Sequence, residues 1–219
     1  MNVRTFPVAL EYSPGERRAD GCIHILGVTA SLAAAIVLMI LAAQALPALA
    51  LVPLGIYGAG LVAMFACSAA YHLITKEKAK ELFRRLDHSA IFVMIAGTYT
   101  PFALLSMGGA WGTGLLAAVW AIALFGMAAK LILPRVFERV SVGLYLAQGW
   151  AVLAAIKPLS AAVSTLSLWL ILIGGVLYTL GVLFHLWRRL PYHNAIWHGF
   201  VLLAAGVHYT AILDATVLV

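Results

Sequence analysis

The sequence contains few charged residues and few cysteines, and both scarcities limit what the protein can be. Only 10% of its 219 residues are Asp, Glu, Lys or Arg, whereas soluble domains carry about 25%. A water-soluble chain of this length could not bury the 64% of residues that are hydrophobic, so we expect its surroundings to be lipid. The two cysteines, Cys22 and Cys67, are too few for a disulfide framework and are interpreted as small packing residues.

The N-terminal part lacks the apolar stretch of a signal peptide. Residues 1–23 instead contain six charged side chains. We therefore interpret residues 1–23 as a cytoplasmic N-terminal segment and residues 24–219 as a transmembrane domain. The first span of that domain is expected to act as an uncleaved anchor.

Seven apolar stretches follow, separated by Pro, Gly and charged residues. Each is close to the ~20 residues that a helix needs to cross a bilayer. The predicted fold is therefore an all-α membrane protein, a bundle of seven transmembrane helices. The predicted spans are residues 24–45, 51–74, 87–106, 111–132, 142–160, 166–187 and 194–214.

The loops between these spans alternate between basic and neutral, and the alternation predicts their orientation. Lys and Arg precede the first span and recur between spans two and three, four and five, and six and seven. Lys157, near the end of the fifth span, is the exception. Because basic loops remain in the cytoplasm, the N-terminus is predicted inside and the C-terminus outside. The same rule accounts for the net charge of +6, so we do not expect nucleic acid as a partner.

The ionisable residues of the spans concentrate near their predicted cytoplasmic ends. Of the seven histidines, only His208 lies outside this layer; it is ten residues beyond His198, about 15 Å along a helix, and is interpreted as a packing or hydrogen-bonding residue. Taken singly, each residue of the layer could be interfacial or a helix cap, as Asp87 could be for span three. A metal site would explain the shared layer better, because imidazole is a common zinc ligand. The layer comprises His24, His72, Asp87, His88, His185, His193 and His198.

Two pairs of polar residues in this layer have helical spacing. Ser68 and His72 are four residues apart on span two, and Asn194 and His198 are four apart on span seven. Residues with this spacing share one face of a helix. Together with Asp87 from span three, these helices can converge on one ion in the core of the bundle.

Ordered motifs on several spans make the chain similar to a known family. The strongest are CSAAYH at 67–72, RRLDHSAIF at 84–92, AGTYTPF at 96–102 and AIWHGFV at 195–201. With these motifs the chain resembles the hemolysin III family, the bacterial branch of the progestin and adiponectin receptor (PAQR) membrane proteins. The resemblance implies a seven-helix, multi-pass protein of the bacterial inner (cell) membrane, with its N-terminus inside and a zinc ion near the cytoplasmic face.

The resemblance also implies roles for individual residues. His72 belongs to a Ser-x-x-x-His motif and His198 is the second His of a His-x-x-x-His motif, and both are implied zinc ligands. Asp87 would hold or deprotonate the reacting water, and Ser68 would support the site. This chain departs from the pattern at the first His of the second motif, which is Asn194, a weaker zinc ligand than His.

The departure leaves three interpretations open: a rebuilt zinc site, a weaker zinc site, or no metal. His193 is a candidate substitute ligand, although on a regular helix it points about 140° away from His198. Pro191 allows an irregular start of that helix. His185 and His24 are further candidates within the layer.

Three functions follow from these observations. The first is a zinc-dependent intramembrane hydrolase of lipid amides, because eukaryotic relatives in the resembled family are similar to ceramidases; membrane lipids would then be the partners. The second is non-catalytic: membrane permeabilisation, as the family name implies, or sensing of the lipid state of the membrane. The third is transport of protons or small solutes through the His and Asp residues. The outer half of the spans, with little polarity beyond Tyr99 and His208, argues against transport.

Overall fold

Helices account for nearly all of the chain in a computed structural model, which describes residues 13–133 and 138–218. Within those ranges, seven helical segments are long and apolar enough to cross a membrane, which confirms the predicted seven-helix fold. The α-helices are α1 (Pro14–Ala45), α2 (Leu51–Leu73), α3 (Glu77–Pro101), α4 (Gly109–Ile132), α5 (Glu138–Gly149), α6 (Ile156–Ala162), α7 (Thr165–Leu186) and α8 (His193–Thr216).

Shorter helical turns complete three of the spans. A 3₁₀ turn (Ala48–Ala50) leads into α2, and a π-helical turn (Phe102–Met107) continues α3 past Pro101, whose ring nitrogen cannot donate a hydrogen bond. A 3₁₀ segment (Trp150–Ala155) joins α5 to α6, so that both belong to the fifth span.

The first helix begins ten residues before the predicted start of the first span, at Pro14 rather than residue 24. The side chain of Ser13 accepts a hydrogen bond from the backbone of Glu16, whose carboxylate accepts one from the backbone of Ser13. This capping box, with Pro14 in the first turn, starts a helix within polar sequence that hydropathy alone does not recognise. Residues 14–23 therefore form one continuous helix with the first span.

The third helix also begins earlier than predicted, at Glu77 rather than residue 87. Its charged first turns are stabilised by Glu81, whose carboxylate receives hydrogen bonds from Arg84 and Arg85 on the following turn. The polar layer predicted at the ends of the spans consequently includes positions well inside α1 and α3. The remaining boundaries differ from the prediction by only a few residues.

The packing order brings the first and last helices together. α1 lies between α2 and α8, α2 packs on α3, α3 on α4, and α7 on α8. Side chains from three of these helices, including Leu38, Tyr57 and Ile212, are fully buried in the resulting core. Because α1 contacts both α2 and α8, residues of these three helices surround a common axis, and α3 lies beside them.

Small residues permit close contact between neighbouring helices. A Cβ atom added to Gly27 would lie 2.6 Å from the ring of Phe65, much closer than two carbon atoms can approach. Gly126 on α4 has the same relationship to the ring of Phe92 on α3, with a distance of 2.5 Å. Such contacts suit a membrane bundle, because helices in lipid associate through close packing of small residues.

Buried side chains compensate for the irregular backbone of the fifth span. The hydroxyl of Tyr99 donates to the carbonyl of Gly149 at 2.6 Å and accepts from the amide of Val152 at 2.9 Å. Gln148 is fully buried, and its amide donates to the carbonyls of Phe92 and Val119. These bonds satisfy backbone groups that water cannot reach inside a bilayer. Cys22 and Cys67 are both free thiols; Cys67 is half-buried, whereas Cys22 is exposed and is not the packing residue that the sequence predicted.

Candidate metal centre

The first helix contributes two polar side chains that face the axis shared with α2 and α8. Asp20 and His24 are four residues apart, so they lie on the same face of α1, in the turns that follow its capped start. The imidazole of His24 is only 2% exposed. Its neighbours Ile25 and Leu26 are exposed, so this buried polar group lies within one turn of the surface that contacts lipid.

The second and eighth helices each add a histidine at the same level. His72 lies in the last turn of α2, and His198 lies near the beginning of α8. The ring centroid of His24 is 4.8 Å from that of His72 and 4.4 Å from that of His198, and the latter two are 4.7 Å apart. Three imidazoles from three different helices therefore form a compact triangle.

The carboxylate of Asp20 interacts with all three rings. Its Oδ1 atom lies 2.6 Å from Nδ1 of His198, and its Oδ2 atom lies 3.2 Å from Nδ1 of His72 and 3.4 Å from Nε2 of His24. Each of the four residues offers one ligand atom, and these atoms all lie within 4.8 Å of one another. In the part of the chain that the structure describes, this is the group of His, Cys, Asp and Glu side chains that could hold a metal ion.

The donor atoms of this group fit a zinc ion. Three imidazole nitrogens and one carboxylate oxygen are ligands that zinc accepts in tetrahedral sites, where donors about 2.0–2.2 Å from the ion lie roughly 3.3–3.6 Å from one another. The Asp20 contacts to His72 and His24 are close to that spacing, whereas the 2.6 Å contact to His198 is shorter and is that of a hydrogen bond. Moreover, Nε2 of His24 is buried without a hydrogen bond to any described group, since its contact with Asp20 lacks hydrogen-bond geometry. A coordinated cation would satisfy this buried nitrogen.

Asp87 and Ser68, the two predicted catalytic residues, adjoin the triangle without belonging to it. Both side chains are buried, and the Ser68 hydroxyl interacts with the Asp87 carboxylate. Asp87 also interacts electrostatically with His72 and His24. The structure thus places a second carboxylate, held by a hydroxyl, beside the four candidate ligands.

Only some of the predicted metal ligands lie in this four-residue group. The structure brings His72 and His198 together, and it adds His24, which the sequence offered as one candidate among several. Asn194 lies one helical turn before His198 and is half-buried, whereas His193 is buried at the first position of α8 and is not part of the four-residue group. Two of the four candidate donors, Asp20 and His24, lie on α1.

The other histidines have separate surroundings. His185 packs against the indole of Trp197, with 5.3 Å between ring centroids, and lies outside the group. His208 is 3.1 Å from the carbonyl of Ile171 and fills the space beside Gly174, as expected for a packing and hydrogen-bonding residue. Asp214, at the opposite end of α8, accepts hydrogen bonds from the hydroxyls of Ser164 and Ser167.

Sequence reasoning missed Asp20 as a candidate ligand, although a signal was present. Asp20 and His24 have the same four-residue spacing as the pairs Ser68–His72 and Asn194–His198. The signal was hidden because hydropathy placed the start of the first span at residue 24, which left Asp20 outside the membrane domain. A helix that continues to Pro14 puts both residues on one face.

Comparisons with known proteins agree with the fold and extend along most of the chain. Residues 16–209 match the family described as "Haemolysin-III related". The chain is 38% identical to a "Hemolysin-3 homolog" of Bacillus subtilis, across 90% of this chain and 93% of that protein. It is also 38% identical to "Hemolysin-3" of Bacillus cereus, across 90% of each.

A more distant human relative has a different name. The chain is 30% identical to the "Monocyte to macrophage differentiation factor" of Homo sapiens, across 72% of this chain and 67% of that protein. The match over residues 16–209 includes all four residues of the cluster as well as Ser68 and Asp87. On this evidence the chain belongs to the haemolysin-III-related family and is a multi-pass membrane protein with a His/Asp cluster that could hold a metal ion.

Proposed function

We propose that the protein is a zinc-dependent intramembrane hydrolase of lipid amides. The observation that carries the proposal is the convergence of Asp20, His24, His72 and His198, with a second buried carboxylate, Asp87, beside them. Ionisable groups within a membrane bundle are costly, and five of them at one level are consistent with a shared catalytic task. The three imidazoles would hold the metal and leave its fourth position open to water. Asp20 would orient the imidazoles, and Asp87 would remain available for proton transfer.

When bound at such a site, zinc acts as a Lewis acid that polarises a carbonyl and makes water nucleophilic near neutral pH. Asp87 would accept the proton of the water that attacks the amide carbon. It would then give this proton to the departing nitrogen as the carbon–nitrogen bond breaks, releasing a fatty acid and an amine. Ser68, whose hydroxyl interacts with Asp87, would orient the carboxylate.

A lipid substrate suits the surroundings of the site. The outward face of α1 beside His24 is apolar and exposed, with Ile25 and Leu26 among its residues. An acyl chain would therefore reach the buried centre sideways from the bilayer without crossing a layer of charge. The polar group of the lipid would meet Asp20 and the imidazoles at the level where these helices leave the hydrocarbon region.

The site lies in the half of the membrane that we assign to the cytoplasm. The loop between α2 and α3 and the loop between α7 and α8 are at the same end of the bundle as the cluster, and Lys78, Arg188 and Arg189 are exposed there. Basic residues favour the cytoplasmic side, which supports an inside N-terminus and an outside C-terminus. Family membership shared with Bacillus proteins supports the bacterial cell membrane as the location.

The test is lipid-amide hydrolysis by purified protein in lipid nanodiscs supplied with one equivalent of zinc. Release of fatty acid from an N-acylsphingosine is expected from the wild type and from Asp214→Asn, which changes a carboxylate at the far end of α8. Asp87→Ala and Asp87→Asn are expected to lose at least about 100-fold in rate, the range for loss of an acid–base group. Hydrolysis at the wild-type rate by both Asp87 variants would refute the mechanism.

The relatives named hemolysin favour a second candidate, a protein that permeabilises membranes without turnover. Dye release from liposomes separates the two functions. A permeabilising protein would release dye from vesicles made of ether lipids that contain no amide or ester bond, and its Asp87→Asn variant would release dye equally. A hydrolase would leave such vesicles intact.

A further inference from the structure

Glu16 connects the beginning of α1 to the residue that precedes α8. Its Oε2 atom accepts a hydrogen bond from the backbone of Ser13 at 2.8 Å, and its Oε1 atom accepts one from the backbone of Tyr192 at 2.9 Å. The first bond belongs to the helix cap, whereas the second joins positions 176 residues apart in sequence. One carboxylate thus serves two donors in different parts of the fold.

The backbone of Tyr192 is strained. Its φ of 60° and ψ of 15° lie in the left-handed region, and among residues 13–133 and 138–218 it is the one non-glycine residue with a positive φ. For such a residue this conformation is unfavourable and persists only where the surroundings enforce it. Such strain is commonly found at functional sites.

The side chain of Tyr192 is held by the same turn of α1. Its hydroxyl oxygen lies 2.7 Å from the position that a Cβ atom of residue 15 would take. Because residue 15 is glycine, this close approach is possible. Gly15 therefore receives the tyrosine side chain while Glu16 binds the tyrosine backbone. We call these three residues, Gly15, Glu16 and Tyr192, the clasp.

The clasp lies next to the metal centre on both helices. Glu16, Asp20 and His24 follow one another at four-residue intervals along one face of α1, and Tyr192 directly precedes the helix that carries His198. The hydrogen bond between Glu16 and Tyr192 therefore fixes the start of α8 relative to α1. The contact of 2.6 Å between Asp20 and His198 depends on that position.

We propose that Glu16 is a positioning residue for the metal centre, which it serves by holding Tyr192 and thus docking the start of α8 against α1. The inference rests on the proposed function, because the centre is taken to hold zinc. The two carboxylate oxygens of Glu16 accept hydrogen bonds from the backbones of Ser13 and Tyr192, so Glu16 acts on the candidate ligands through the position of α8.

A carboxylate is required because both of its oxygens accept hydrogen bonds. Glutamine has a single acceptor oxygen, and its amide group would face a backbone N–H donor. Glu16→Gln therefore keeps at most one of the two bonds, and Glu16→Ala keeps neither. Ser13→Ala is the matched control, because it removes the hydroxyl that caps the amide of Glu16 but leaves the bond between Glu16 and Tyr192.

The experiment measures two properties of full-length protein in nanodiscs. The first is zinc affinity, by competition with a chromogenic chelator. The second is hydrogen exchange of the backbone of residues 190–198, in zinc-free protein. Zinc dissociation constants are expected to rise by about 10–100-fold in Glu16→Ala, less in Glu16→Gln, and under about twofold in Ser13→Ala, as for loss of a group that supports ligands. Exchange should accelerate by roughly five- to tenfold in Glu16→Ala, as for one lost hydrogen bond.

A second substitution tests whether Glu16 acts through the strained backbone of Tyr192. Glycine adopts a positive φ without strain, so Tyr192→Gly in the Glu16→Gln background should recover part of the zinc affinity. Equal exchange in Glu16→Ala and wild type would overturn the clasp, whether or not zinc binds. Faster exchange with unchanged zinc affinity would overturn the positioning role. Failure of the wild type to bind zinc would overturn the proposed function instead, and with it the role of Glu16 toward the metal.

Discussion

The carboxylate of Asp20 lies 2.6 Å from Nδ1 of His198, although 178 residues separate the two in sequence. The contact joins the first and last spans of the bundle and completes a group of four candidate ligands with His24 and His72. A carboxylate among three imidazoles has two physical uses. It holds the rings in one orientation, and it supplies the negative charge that a divalent cation prefers among its ligands.

Replacement of Asp20 is expected to weaken zinc binding while preserving the fold. Asp20→Asn keeps the size of the side chain but removes its charge. We expect the zinc dissociation constant to rise by at least about 10–100-fold, because loss of a group that only supports the metal ligands typically weakens binding by this factor. The measurement is the number of zinc ions per chain, determined by mass spectrometry after the protein is equilibrated with buffered free zinc. Asp214→Asn is the control, because that carboxylate receives serine hydroxyls at the other end of α8. Unchanged zinc content in Asp20→Asn would remove Asp20 from the centre.

His198 and Asn194 lie on one face of α8, and alanine substitutions at the two positions should affect zinc binding differently. His198→Ala is expected to lose the metal, because His198 belongs to the four-residue group. Asn194→Ala, one turn earlier, is expected to retain it, because α1 supplies the additional ligands His24 and Asp20. His72→Ala should resemble His198→Ala. Loss of zinc from Asn194→Ala, measured as above, would show that the amide is a ligand and that the contribution of α1 is smaller than proposed.

The sequence predicted the bundle well because each span is long and almost uncharged. Length and hydropathy were sufficient to identify seven spans, and the spacing of Ser68–His72 and Asn194–His198 indicated which helix faces are polar. His72 and His198 were expected near each other on the basis of family resemblance, and the structure places their rings 4.7 Å apart. These features depend on local pattern, which a single sequence contains.

Other features depend on which helices are neighbours, and local pattern does not contain that information. Asp20 is a candidate ligand because α1 packs between α2 and α8 and begins at Pro14. The contact of Glu16 with Tyr192 joins residues 176 positions apart, and no periodicity in the sequence signals it. The capping box at Ser13 and Glu16 could have been recognised from its spacing, and it would have extended the first helix correctly.

The spacing of α1 and α2 should control the metal centre. A Cβ atom at residue 27 would lie 2.6 Å from the ring of Phe65, so Gly27→Ala must push the two helices apart or displace the ring. Because His24 is one turn from Gly27, we expect weaker zinc binding together with a lower unfolding temperature. Gly55→Ala on α2 is the control, because nothing lies within 4 Å of the added atom. Equal zinc affinity in Gly27→Ala and Gly55→Ala would mean that the centre tolerates this displacement.

Loss of the Tyr99 hydroxyl should reduce stability without affecting the metal. This hydroxyl both donates to Gly149 and accepts from Val152 in the fifth span, and Tyr99→Phe would leave two backbone groups without their partner. We expect a loss of about 1–3 kcal/mol in unfolding free energy, the range for unsatisfied buried groups. Tyr209→Phe removes a single bond, to the carbonyl of Ala34, and should cost about 0.5–1.5 kcal/mol. Denaturant unfolding in mixed micelles measures both, and equal losses would contradict this account of the fifth span.

The orientation of the bundle is predicted by its basic loops and can be tested by labelling exposed cysteines on intact cells. Lys78 lies at the end of the bundle that contains the metal centre, and Ala48 lies at the opposite end; both are exposed. In a chain whose own cysteines, Cys22 and Cys67, are changed to serine, a membrane-impermeant maleimide should react with Ala48→Cys on whole cells. It should react with Lys78→Cys only after the cells are opened, because basic loops remain in the cytoplasm. The reverse pattern would place the His/Asp cluster near the outer surface and would exclude a substrate drawn from the inner leaflet.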